Sequence, residues 1–353
     1  MFNAKQYIRI RITSLPKANC TDMVGFSENV VHILIPVIVC VGVLGVFSIV
    51  GNVLVCYVFI FRMKTTTHNF LISSLSVFGL LSTVVCMALA TGRMTRYYTF
   101  RLESICKAGM FLDSVLILMT IFILIIIAVD RYLKICRPME TQMTRKVAEI
   151  SIGVAVCVSV LFGSPRLSVY IVKSVEATKP NGTQCIHDTN TVFTLYRTVT
   201  ALLIIGLTVV LIVLYASIGI AVRRHKCSFQ LSDRANNPRA SINVRSPSLS
   251  RQNQNMFDKS TLIGFFVTLM FVISYFPALA LKIIICFTKE DLMNKYPLGY
   301  YICQHMYIIN DAVNPIIYGA LNTEFRNHVV QMMRSISRRL KTSNSVSSRL
   351  ELI

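Results

Sequence analysis

The chain has 353 residues, 54% of them hydrophobic, with a mean hydropathy of +0.60 and a formal net charge of +20. That apolar content excludes an ordinary soluble domain. The apolar residues also lie in long runs that lack the charged faces soluble amphipathic helices carry.

A bilayer-spanning helix needs roughly 20 predominantly apolar residues. Taken in chain order, the candidates are Val30 to Phe61, His68 to Gly92, Lys107 to Ile135, Val147 to Tyr170, Val192 to Val222, Ser260 to Phe287 and Pro297 to Leu321. Several exceed the minimum, which predicts tilt or extension beyond the lipid. The first 29 residues hold four basic side chains but no compact apolar core followed by a small-residue cleavage site, so the first span is expected to serve as an uncleaved targeting signal. The expected fold is an all-α membrane protein, a seven-transmembrane helix bundle with a short amphipathic helix after the seventh span. Residues 1–29 form an extracellular tail, 30–321 the bundle and 322–353 the amphipathic helix and cytoplasmic tail.

Residues 223–259 carry eight Lys/Arg and many Ser, Asn and Gln, a composition that reads as a disordered third cytoplasmic loop. After Leu321, Phe325, Val329, Met332, Met333 and Ile336 recur at helical spacing opposite basic residues, which fits a helix lying on the anionic inner leaflet. Placing the C-terminus in the cytoplasm puts 21 basic residues inside and 15 outside. Two glycosylation sequons, at Asn19 and Asn181, then fall outside. The expected location is the plasma membrane, multi-pass, with the N-terminus extracellular and the bilayer itself as a partner. No nucleic-acid partner is expected.

The third span ends in IIIAVDRYLKICRP, with Asp130, Arg131 and Tyr132 where the apolar run meets the cytoplasm, and the seventh span carries Asn314-Pro315-Ile316-Ile317-Tyr318. A charged pair at a helix end is compatible with simple interfacial snorkelling. The two motifs together, in spans three and seven, resemble the rhodopsin-like G-protein-coupled receptors over roughly Val30 to Leu340. Gly51-Asn52 in the first span, Phe271 and Pro277 in the sixth, and Tyr215 in the fifth agree with that pattern. The resemblance implies a disulfide between Cys106 and Cys185, which an oxidising outer face permits. It also implies a hinge at Pro277, inward movement of Tyr215 and Tyr318 on activation, and insertion of Met139 into a heterotrimeric G-protein. Asp113, Ile117, Tyr275, Gln304 and Ile308 are the implied ligand-facing positions. Ser241, Ser246, Ser335 and Ser337, near basic residues, are candidate sites for a receptor kinase and for arrestin recruitment.

The chain also departs from that family. It has no Trp; Tyr275 stands where the family has a sixth-span tryptophan, and Leu207 replaces the fifth-span proline. Phe257, with Asp258 beside it, occupies the position from which an acid often pairs with the third-span arginine, so such a lock is expected to be weak or shifted. Gly79 stands where the family places a sodium-binding aspartate in span two. Asp311 is the candidate replacement, with Thr120, Asn310 and Asn314 as companions in a sodium site. A protonated Asp311 within a polar cluster, needing no ion, is the other reading of a carboxylate at membrane depth.

Asp113 is the second carboxylate at depth. Amine receptors carry an aspartate there to pair a ligand ammonium, but Val199, Thr200, Leu203, Ala278, Leu279 and Ile308 do not continue an amine pocket. The outer segments carry 15 basic against 7 acidic residues, a field that attracts acidic ligands, and the second outer loop is long enough for a hairpin. A peptide with a cationic group reaching Asp113 and acidic groups near the rim fits both signals. The expected function is a receptor for an extracellular ligand, a peptide first and a biogenic amine second, coupled to a G-protein and with no catalytic residues of its own. An ion or proton transporter is the rival class. Retinal is excluded, because residues 297–321 contain no lysine for a Schiff base.

Overall fold

The computed structural model describes residues 20–97, 99–175, 182–187, 191–236, 249–288 and 292–350. The long helices are α1 (Cys20–Phe61), α2 (Thr67–Thr95), α3 (Glu103–Cys136) and α4 (Arg145–Gly163). After a short helix α5 (Arg166–Val169), strands β1 (Tyr170–Val175) and β2 (Gly182–His187) pair antiparallel. Then follow α6 (Thr191–Asn236), α7 (Leu249–Thr288), a one-turn α8 (Leu292–Lys295), α9 (Pro297–His305), α10 (Ile308–Leu321) and α11 (Thr323–Leu350).

Local chemistry sets several helix starts. The Thr66 hydroxyl accepts from Asn69 N at 3.1 Å at the head of α2, and Thr144 accepts from Val147 N at 3.3 Å at the head of α4. Each satisfies a donor that the first turn leaves open. α3 packs against α2, α4 and α6 and forms the centre of the bundle, with Leu118, Met119, Ile121 and Leu124 fully buried. The other face of the bundle stays apolar. Phe47, Leu161, Phe276 and Ile316 are each about two-thirds exposed (66%, 68%, 66% and 65%). Exposed apolar surface on that scale belongs against lipid tails.

Among the described residues, six helices are long and apolar enough to cross a membrane. The seventh expected span differs from the single helix read at Pro297 to Leu321. It is divided into α9 and α10, of 9 and 14 residues. At the break Ile309 N bonds Met306 O and Asn310 N bonds Tyr307 O, each at 3.0 Å, so the ladder tightens to i,i+3 spacing there. The segment read as a disordered loop, residues 223–259, is also narrower. Helical backbone continues to Asn236 and resumes at Leu249, while residues 237–248 lie outside the described residues. Adding turns to an existing helix avoids a new nucleation cost, which favours such extension past the lipid. The first helix likewise begins at Cys20, ahead of Val30.

Gly51 allows α1 to touch α10. A Cβ at this position would stand 2.6 Å from Pro315 Cγ and 2.8 Å from its Cβ. A proline ring has no rotamer by which to withdraw, so the helices themselves must part. Gly51→Val is therefore expected to cost about 1–3 kcal/mol and to lower surface expression several-fold in a quantitative immunoassay. Gly42→Val, with nothing within 4 Å of the added carbon, is the neutral control.

Candidate functional site

At the inner end of α3, Asp130 is fully buried and Arg131 is 4% exposed. The Arg131 guanidinium donates to the Asp130 carboxylate, which Lys134 Nζ also approaches at 2.8 Å. Arg131 Nη1 additionally donates to Ser260 Oγ on α7 at 2.8 Å, and Ser260 Oγ lies 2.8 Å from His68 Nε2 on α2. Arginine, serine and histidine thus tie three helices together across the inner opening. The side chains of Phe257 and Asp258 lie outside the described residues, so the tether seen is this neutral one. Met139, in the loop beyond, is 99% exposed. Tyr132 is half-buried beside Arg131.

Midway along the bundle a polar cluster surrounds Asp311, which is 2% exposed. Asn52 Nδ2 donates to the backbone oxygens of Ser48 and Asp311, both at 2.9 Å, and Asn310 Nδ2 donates to Asp311 Oδ1 at 3.3 Å. Gly79 faces this carboxylate: a Cβ placed there would lie 3.7 Å from both Asp311 Oδ1 and Asn52 Oδ1. Asp311 Oδ2, Asn310 Oδ1, Asn314 Oδ1 and Ser76 Oγ are buried with no hydrogen-bond partner among the described residues. Uncompensated buried oxygens are costly. A hard cation takes oxygen ligands of this kind, so the residues present fit one. Thr120 uses its hydroxyl on Leu116 O at 3.1 Å within its own helix.

The half of the bundle nearer the hairpin holds a half-enclosed cavity. Arg93, Arg166, Arg197, Lys282, Tyr300 and Gln304 are among its walls. Asp113 stands behind it, already partnered: Arg166 Nη1 lies 3.5 Å from its Oδ2, and the Tyr307 hydroxyl donates to its Oδ1 at 2.7 Å. Tyr307 stacks on Tyr275 with ring centroids 5.5 Å apart, and Tyr275 meets Phe271 at 4.4 Å. Side chains in contact therefore run from the cavity wall to the core of α7. A second cavity shares Lys282 and is lined by Ile117, Phe271 and Tyr275. Ile308 is fully buried and Gln304 lines the first cavity, so Ile117, Tyr275 and Gln304 reach open space while Ile308 does not line the cavities described.

The hairpin β1–β2 is held over the outer end by a disulfide from Cys106 on α3 to Cys185 on β2, the pairing the resemblance implied. Asn19, Asn181, Ser241 and Ser246 lie outside the described residues, whereas Ser335 and Ser337 are exposed on α11. Pro277 sits inside α7, and Tyr215 and Tyr318 are buried between helices. Sequence reasoning missed Ser260, His68, Tyr307 and the four basic side chains of the cavity. The last were counted as loop charge, and only their positions at the outer ends of apolar runs hinted at an inward role.

A family model described as "7 transmembrane receptor (rhodopsin family)" matches residues 51–318. The chain belongs to that family: it is a rhodopsin-type G-protein-coupled receptor, a multi-pass membrane protein and not an enzyme. Relatives include the mouse (Mus musculus) neuromedin-U receptor 1, 26% identical over 313 residues that cover 84% of this chain and 72% of that one. The mouse neuropeptide FF receptor 2 is 24% identical, covering 86% and 74% of the two chains. The RYamide receptor of the beetle Tribolium castaneum is 23% identical, covering 87% and 83%.

Proposed function

We propose that this receptor binds an extracellular peptide and passes the signal to a heterotrimeric G-protein at the plasma membrane, with its N-terminus outside and α9 and α10 together forming the seventh span. The observation that carries this reading is the joining of two sites by one helix. α7 lines the outward cavity through Lys282 and closes the inner opening through Ser260, with Pro277 between them. Ligand binding favours one of two bundle packings. As the inner end of α7 swings about Pro277, Arg131 leaves Ser260, Tyr215 and Tyr318 move inward, and the exposed Met139 docks with Arg131 against the G-protein. α11 lies along the inner leaflet, where phosphorylated Ser335 and Ser337 would present anions to arrestin.

The names of the relatives support a peptide ligand, as do the basic outer face and the hairpin over the cavity. The amine reading is disfavoured by geometry: a ligand ammonium would have to displace both a guanidinium and a phenol from Asp113. Asp311, Asn310 and Asn314 are the residues that would hold a sodium ion, which would supply positive charge to a buried carboxylate and stabilise the resting packing. The deciding experiment screens surface-expressed full-length receptor against peptide and amine libraries, reading nucleotide exchange on purified G-protein. Peptide-driven exchange supports the proposal, amine-driven exchange that requires Asp113 replaces the ligand class, and ion flux without G-protein overturns it in favour of a transporter.

A further inference from the structure

We infer that the outer cavity recognises an anionic group of its ligand, a carboxylate carried by an acidic residue or a free C-terminus, and that Arg166, Lys282 and Arg93 are its receptors. This rests on the peptide reading of the same site. It reverses the expectation that a cationic group reaches Asp113.

Three observations carry it. No acidic side chain lines the cavity among the described residues, whereas Arg93, Arg166, Arg197 and Lys282 all do. Asp113, the carboxylate that Arg166 reaches from this wall, is already held at its two oxygens by Arg166 and Tyr307. Arg93 and Lys282 have no carboxylate partner among the described residues; the contact of Arg93 Nη1 is a thioether, Met110 Sδ, at 3.6 Å. Arg166 is 8% exposed, its Nε is buried without a hydrogen-bond partner, and its Nη1 holds Met110 O at 3.2 Å. A guanidinium next to an ammonium at the same wall matches the two oxygens of a carboxylate. Gathering like charge in a half-enclosed site is unfavourable until an anion enters. The cavity is thus preorganised for negative charge, and the field of the outer face adds to its capture.

The geometry also says how the anion acts. Arg166 bridges the cavity and Asp113 at the long distance of 3.5 Å, so an arriving carboxylate competes with Asp113 for the same guanidinium. Asp113 then relies on the Tyr307 hydroxyl, and Tyr307 is stacked on Tyr275 of α7. Asp113 is a positioning residue here, because it touches the ligand only through Arg166.

The test has two arms, both on full-length receptor with surface expression measured. In the first, every active library peptide is resynthesised with each Glu or Asp changed to Gln or Asn and with its C-terminus amidated. One such neutralisation is expected to lower potency by about tenfold to a hundredfold, the range for a charge-assisted hydrogen bond. Lys282→Met should cause a similar loss for the acidic peptide and little change for its neutral form, and Lys282→Arg should recover it. Asp113→Asn should act oppositely and raise the affinity for the acidic form. In the second arm, benzoate and phenylpropionate are compared with their primary amides for thermal stabilisation of purified receptor. The acids should stabilise the protein and the amides should not, with the difference abolished by Lys282→Met. Equal potency of acidic and neutral peptides, or a loss of potency in Asp113→Asn, would overturn the inference while leaving the peptide reading intact. If no peptide of either charge activates the receptor, the peptide reading falls and the acid and amide pairs still decide for or against the anion site.

Discussion

Ser260→Ala is expected to raise ligand-free nucleotide exchange on the G-protein by about tenfold or more. Arg131 Nη1 reaches Ser260 Oγ at 2.8 Å, and this bond joins α3 to α7. A hydrogen bond to a charged group contributes about 1.5–3 kcal/mol, and each 1.4 kcal/mol is a factor of ten in a two-state equilibrium. A receptor resting with about 1% of its molecules open would move to about 10% or beyond. His68→Leu should act in the same direction and more weakly, because His68 touches Ser260 and not Arg131. Arg131→Ala should instead abolish exchange at normal surface expression, since it removes the group proposed to meet the partner. Unchanged basal exchange in Ser260→Ala at matched expression would show that the tether does not hold the resting state.

The second large effect concerns Gly79 and Asp311. A side chain at Gly79 would enter the space beside the Asp311 carboxylate, with its first carbon 3.7 Å from Oδ1. Gly79→Asp would place two carboxylates within about 4 Å, a repulsion of about 4 kcal/mol at an effective dielectric near 20. Surface expression should fall sharply. Adding Asp311→Asn should restore it, because the double variant returns one carboxylate to the cluster from the other helix. Sodium binding adds a readout that needs no ligand. Sodium chloride should stabilise the purified wild-type receptor against heat more than choline chloride does, by about 1.4 kcal/mol when the ion is tenfold above its dissociation constant. Asp311→Asn should lose that difference and the double variant should regain it. Retention of the sodium effect in Asp311→Asn would place the ion elsewhere. A double variant no better expressed than Gly79→Asp would show that the two positions do not compensate.

Much of the bundle was legible along the chain because bilayer crossing is a local demand. Every backbone polar group must be paired within the segment, so length and hydropathy announce a spanning helix. The exception, Tyr307, shows the limit. Nothing in YIINDAV marks a break, yet the ladder tightens where the Tyr307 hydroxyl is drawn to Asp113, a residue 194 positions away. The inner motif was legible in Asp130, Arg131 and Tyr132, but the partner of Arg131 was not. Ser260 lies 129 residues on and carries no charge to betray it.

By itself the sequence determined the membrane class, the six continuous spans and the family motifs, which follow from short-range composition or from residues at set spacing, while the cysteine pair was implied by the resemblance those motifs carry. Tertiary structure alone decided what the charges do. A basic residue at the outer end of a span can reach water or turn toward the bundle axis with equal hydropathy. Packing turned Arg93, Arg166 and Lys282 into one cavity, set Arg166 against Asp113 and brought Asp311 into the space left by Gly79. Each of these is a through-space encounter between different helices, set by which faces pack together, and no local pattern encodes it.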